Sequence, residues 1–355
     1  MIVVTVYAII IFAFTSYSYV LVDPSLTLVS APWWVALRVP LINIGFYERG
    51  LSTFFYIFII ALLFIAHYYL LKKYAKLNAF HLGLTIGGVL LISYPFLSRD
   101  LFNYMFDARI LTYYGQNPYH FAPMDFPQDN WLRFMHWTHR TYPYGPVFLP
   151  LTLIPSFLSM GKFILNLLLF KGLFVGFYLL GIYFLRKMNN VWALIFATHP
   201  LVIVEGLVNA HNDLIAVSFG LMGIYYLSKN KIIMGKVFFV LSAGIKYLTF
   251  PLIFLSKKNT KINTIVIIAQ TLLIAYLVFF RDIQPWYFLI LFIFLPYYVK
   301  YIHMFDIFFF SLLLSYFPYL YYGSWDDMWI KQAIIIGGFS LNALYFLTKN
   351  RFFSK

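Results

Sequence analysis

The sequence predicts an all-α protein that crosses a membrane many times. Hydrophobic residues make up 62% of its 355 and charged residues only 11%, and apolar runs of near-spanning length recur from one end to the other. So few charges cannot surface two soluble domains, and residues 1–355 read as one integral membrane domain. A net charge of +14 suits nucleic acid, but the Lys and Arg stand in short clusters at the ends of apolar runs, where they orient a chain in a bilayer. The bilayer is therefore the implied partner and nucleic acid is not. The absence of cysteine excludes disulfides and thiolate metal sites.

Taken in order, spans are predicted over 2–22, 51–71, 78–97, 163–185, 191–207, 212–228, 262–280, 285–299, 304–320 and 329–347, ten in all. The first lacks a basic leader and an A-x-A site before Asp23, so it reads as a retained span. Residues 237–256 are flanked on both sides by lysines, at 229, 231 and 236 and at 257, 258 and 261. Both flanks then lie on one side, and the segment reads as a re-entrant pair turning near Lys246 and Pro251. With that assignment fifteen of the 26 Lys and Arg collect on one face, which becomes the cytoplasmic one with both termini. The opposite face carries the loops 23–50 and 98–162, the His211 turn, the Arg281 turn and the loop around Trp325, Asp326 and Asp327. The apolar stretch 146–160, broken by Pro150 and Pro155, is placed along the outer interface. Trp33, Trp34, Trp286, Tyr287, Tyr321, Tyr322 and Trp325 fall near span ends and read mostly as an aromatic belt.

The loop 98–162 is too long and too aromatic to be a linker. Ser98 can cap a helix that puts Asp100 in its first turn, where the helix dipole favours a carboxylate. Asp100, Tyr104 and Asp107 then share one face. The plainer reading makes Asp100 a dipole partner and pairs Asp107 with Arg109 or Arg99. A second polar group, His199, Glu205, Asn209, His211, Asn212 and Asp213, stands where one apolar run gives way to the next, and a carboxylate inside such a run points to function. Lys246, in mid-run, needs an anion, either an intramembrane carboxylate or a phosphate. Lys171 raises the same question. His136 and His139 are three apart, weak support for a divalent metal, and no nucleotide or metalloprotease motif is present.

The motifs S-R-D-L-F-N-Y, G-Q-N-P-Y, Y-P-Y-G-P, H-P-L-V-I-V-E-G, A-H-N-D and G-I-K-Y-L-T-F-P, in this order over about residues 93–256, resemble the GT-C membrane glycosyltransferases. The nearer likeness is to the polyprenol-phosphate-mannose-dependent mannosyltransferases of bacterial lipoglycan synthesis, and a more distant one is to the catalytic subunit of GPI mannosyltransferase I. The resemblance implies inverting transfer of a hexose, mannose above others, from a polyprenyl-phosphate sugar to a glycan or glycolipid acceptor at the extracytoplasmic face. It implies Asp100 as general base, Asp213 as a second acidic residue and Lys246 as the donor-phosphate ligand. The family's large loop usually follows the first span, so the N-terminal pair of spans reads as an addition here. No D-D or D-x-D pair opens the loop, so the pattern of a metal-bridging role is missing there and no cofactor is expected.

The residues fit this chemistry without the family. A hydroxyl acceptor needs a carboxylate near its proton, and a departing phosphate needs positive charge more than it needs an acid. Asp100 supplies the first, and Lys246, Arg99 and His211 the second. Tyr104, Asp107, Asn117, Tyr119, Tyr144, Glu205, Asn212 and Asp213 are the expected substrate-binding residues, with Trp131 and Trp137 as further ring faces for a sugar. The alternative is a multi-pass transporter or lipid-linked sugar flippase, drawn from the intramembrane Glu205, Lys171 and Lys246. No internal repeat supports it.

Overall fold

A computed structural model describes residues 2–26, 31–73, 76–257, 259–326 and 328–353; Lys258, Asp327 and Lys355 lie outside them. Where proline and polar breaks are absent, the apolar runs become helices. The chain forms α1 (Ile2–Tyr17), α2 (Pro32–Phe46), α3 (Arg49–Lys73), α4 (Ala79–Leu90), α5 (Asp100–Thr112), α6 (Phe148–Leu158) and α7 (Phe163–Met188). It continues through α8 (Asn190–Thr198), a π-helix (Val202–Val208), α9 (Asp213–Ser228), α10 (Ile232–Ile245) and a 3-10 helix (Tyr247–Phe254). Then come α11 (Thr260–Phe280), a 3-10 helix (Pro285–Phe294), α12 (Leu295–Met304), α13 (Asp306–Leu314), α14 (Phe317–Tyr322) and α15 (Met328–Phe353). Local chemistry sets several ends. Asn78 accepts from the backbone N–H of Phe80 and His81 to start α4, Asn189 accepts from Val191 to start α8, and Lys72 and Lys73 stand at the negative end of the α3 dipole.

The all-α membrane class holds. Among the described residues five helices are long and apolar enough to cross a membrane, and a sixth if α8 and the π-helix, bent by 68°, are one broken span. The other expected spans are shortened for identifiable reasons. Residues 78–97 give only the twelve-residue α4, about 18 Å of helix. Residues 285–299 begin as a 3-10 helix after Pro285, and 304–320 break before Pro318 into α13 and α14. The segment expected to be re-entrant is two consecutive helices, α10 and the 3-10 helix that follows, with Lys246 extended between them at φ −133° and ψ 110°. The stretch 146–160 forms α6, with Ile154, Phe157 and Leu158 exposed.

At the centre lie the π-helix, buried at all seven residues, and α9, which packs against α7 and α10. Lys171 of α7 is buried there. Its ammonium donates to Ser93 Oγ at 2.9 Å, to the Val208 carbonyl at 3.0 Å and to the Leu207 carbonyl. It caps the last carbonyls of the π-helix, which no helical N–H would otherwise satisfy in an apolar core.

Candidate active site

The polar stretch 205–213 is not a solvated turn at a membrane face. Glu205, Asn209, His211, Asn212 and Asp213 are fully buried, so each needs partners inside the protein. The backbone makes them converge. The Asn209 N–H bonds the Val204 carbonyl and the His211 N–H bonds that of Glu205, both at 2.9 Å, and Ala210 takes a left-handed φ of 56°. This strained residue swings His211 back over Glu205.

His211 Nε2 lies 3.3 Å from Glu205 Oε2, and Nδ1 lies 3.4 Å from Asp100 Oδ2. Its ring stacks on Trp286 at 3.9 Å. Glu205 Oε2 also accepts from Asn209 Nδ2 and the Tyr316 hydroxyl, each at 3.2 Å. Burial disfavours the imidazolium, but the hydrogen bonds and charges of Asp100 and Glu205 outweigh it and raise the His211 pKa to about 9. Burial likewise pushes the Asp100 carboxyl up, and His211, Lys246 and Arg140 together hold it below its usual value. Asp100 is thus an ionised carboxylate with partial access, its side chain 19% exposed.

Asp100 opens α5, with its N–H on Ser98 Oγ at 3.2 Å. Tyr104, one turn on, is a buried wall residue whose hydroxyl accepts the Asn212 N–H at 3.5 Å and whose ring meets Tyr144 and Phe148 edge-on. Asp107 pairs with neither Arg109 nor Arg99. Arg109 turns to Asp129 at 2.6 Å, and Asp107 is left buried, its pKa raised to about 8 by burial, with Arg140 opposing and Asp100 adding to the shift.

Lys246 arrives from the other side. Its ammonium is 2.8 Å from Asp213 Oδ2 and 3.2 Å from Asn212 Oδ1, and 6.0 Å from the Tyr287 ring centre. The carboxylate expected as its plainer partner is therefore Asp213. Asp213 is wholly buried whereas the Lys246 side chain is 23% exposed, so the cation is the accessible half. An ammonium carries three donors, and two are engaged here.

The loop 140–147 closes this side. Arg140 bonds the Tyr144 hydroxyl at 3.3 Å and lies over Trp137. Val147 N–H bonds the Gly244 carbonyl at 3.0 Å. The backbones meet so closely that a Cβ on Gly145 would fall 2.1 Å from that carbonyl oxygen, and one on Gly244 would fall 2.4 Å from Val147 Cγ2.

Other expected residues lie further out. Asn117 is exposed and holds its own turn, its side chain accepting the Tyr119 N–H at 3.0 Å. Tyr119 is exposed on the rim, edge-on to Tyr142. Arg99, expected on the phosphate, points to the Phe134 carbonyl at 3.5 Å. His211, expected there too, has both nitrogens facing carboxylates and no free edge. Trp131 covers Arg109 rather than a sugar site. Among the described residues no group of three or more His, Cys, Asp or Glu is placed to hold a metal ion.

Sequence reasoning missed Arg140, Trp286 and Tyr287. The two aromatics were assigned to the belt but turn inward to His211 and Lys246. Their signal was Pro285, which opens a 3-10 helix just ahead of them.

A family model described as "Alpha-(1->6)-mannopyranosyltransferase, N-terminal domain" matches residues 8–256. The chain belongs to that family. This mannosyltransferase of GT-C type carries the Asp100, His211 and Lys246 elements inside the matched span. The match begins in α1, so the N-terminal helices are part of the family's own fold and not an addition to it. The family assignment also sets transfer above transport, and Lys171 is engaged by carbonyls rather than left as a carrier charge. No curated protein and no solved structure matches the mannosyltransferase chain.

Proposed function

We propose that this mannosyltransferase takes mannose from a polyprenyl-phosphate donor and passes it, with inversion, to a glycan or glycolipid acceptor at the extracytoplasmic face, with both termini in the cytoplasm. The observation that carries the reading is the approach of an ionised carboxylate, Asp100, and an accessible ammonium, Lys246, to one buried His-Asn-Asp turn. The distribution of Lys and Arg supports the sidedness.

In the proposed step the acceptor hydroxyl oxygen attacks the anomeric carbon as the bond to the phosphate oxygen breaks. Asp100 takes the hydroxyl proton, and the phosphate leaves with the bonding pair as the lipid phosphate. Lys246, anchored by Asp213 and Asn212, directs its remaining N–H to that phosphate, and Arg140 is the second cation. His211 is a positioning residue that keeps Asp100 charged and oriented. Tyr119, Tyr144 and Tyr287 form the rim against the sugar, and the lipid tail stays in the bilayer. The step draws on no cofactor.

The experiment is transfer by purified protein from radiolabelled polyprenyl-phosphate mannose. Asp100→Asn is expected to lower transfer by about 10²- to 10⁴-fold while the donor still binds. Undiminished transfer removes Asp100 as the base, and transfer from a nucleotide sugar alone removes the lipid donor.

A further inference from the structure

Half a turn round α5 from Asp100, nine residues on, Arg109 faces away from the site just described. A cavity of about 130 Å³ opens there, lined by Arg109, Thr112, Ser156, Ser159, Gly161 and Asn166 among others. A single water needs only about 10–15 Å³ on this measure, so the space suits a larger group. Asn166 is 1% exposed, and neither atom of its amide has a protein partner. A buried amide with nothing to bond is costly unless something enters the cavity.

Arg109 is presented to that space. Its Nε is taken by Asp129 at 2.6 Å, and the Tyr113 and Trp131 rings lie 3.8 and 4.1 Å from the guanidinium carbon, fixing its plane. No hydrogen bond from either terminal nitrogen to protein is found among the described residues, and Nη1 stands beside Gly161, which has φ +73°. Thr112 and Ser156 add a hydroxyl pair 2.7 Å apart. A planar cation, hydroxyls and a free amide match a phosphate group.

Beside the cavity, Ile154, Phe157, Leu158 and Met160 are 58–75% exposed. With Asp129 cancelling part of the charge, a free, strongly hydrated anion gains little, and apolar chains laid on these residues supply the rest. The geometry points to a binding site for the phosphate headgroup of an anionic membrane lipid, separate from the transfer centre and independent of the proposed donor.

The full-length protein is reconstituted in phosphatidylcholine with and without phosphatidylglycerol, with bound lipid read by native mass spectrometry and stability by melting temperature. Phosphatidylglycerol is expected to be retained and to raise the melting temperature. Asn166→Leu removes both amide atoms at similar size and is expected to weaken retention about tenfold. In phosphatidylcholine it should melt no lower than the parent. Arg109→Lys, which keeps a cation for Asp129, should lose retention likewise. Equal retention by parent and Asn166→Leu would overturn the site, and an equal rise in melting temperature with inorganic phosphate alone would overturn the lipid.

Discussion

Asp100 Oδ2 and His211 Nδ1 lie 3.4 Å apart, and Glu205 stands 3.3 Å behind the far nitrogen of the same ring. A cation between two carboxylates leaves one of them, Asp100, partly open and charged. Asp100→Asn should therefore lower kcat by about 10²- to 10⁴-fold, the span of a lost general base, with little change in donor affinity. Single-turnover transfer alongside donor binding separates the two.

The pH profile follows from the same contact. The Asp100 carboxyl is held below its usual value, so it stays ionised down through the ordinary carboxylate range. The His211 pKa is raised to about 9, so its contribution to stability is complete below the usual imidazole value and is lost as pH rises through about 9. kcat/KM should hold flat across neutrality and fall on the alkaline side near 9, and His211→Gln should abolish that limb. An unchanged limb in the variant would assign it to another group.

Lys246 and Asp213 make a test by pairing. Lys246→Met strands the fully buried Asp213 carboxylate, a cost of about 3–5 kcal/mol. Adding Asp213→Asn should recover most of that stability without recovering transfer. Recovery of activity in the double variant would reduce Lys246 to a structural partner.

Asp107 is held protonated by burial, its pKa raised to about 8. The folded protein then binds a proton that the unfolded chain has released, so stability falls as pH rises from the usual carboxylate range through about 8. Asp107→Asn should flatten that slope of melting temperature against pH. Parallel slopes for parent and variant would show that Asp107 does not titrate in that range.

Much of the site was legible because charge inside an apolar run stands out. Glu205 and Lys246 were visible as departures from hydropathy, Asp100 and Asp213 as carboxylates at the head of the long loop and in the polar turn between two runs, and the break at Lys246 was marked by its lysine flanks. Arg140 was not, since a loop with four arginines has no periodicity to single one out. Trp286 and Tyr287 were lost in the general habit of aromatics at span ends. The ten predicted spans did not foretell the π and 3-10 geometry at Val202–Val208 and Pro285–Phe294, where apolar residues form no long straight helix, because hydropathy does not distinguish helix types.

The backbone contact between Gly145 and Gly244 ties the aromatic segment to the turn that bears Lys246. A side chain at either glycine would wedge the two segments apart, so bulk added there should draw the Lys246 ammonium away from Asp213 and Asn212. Two positions with no side chain at all thus set how near the cation stands to the loop, and a single added methyl at either would be felt there without touching a reacting atom.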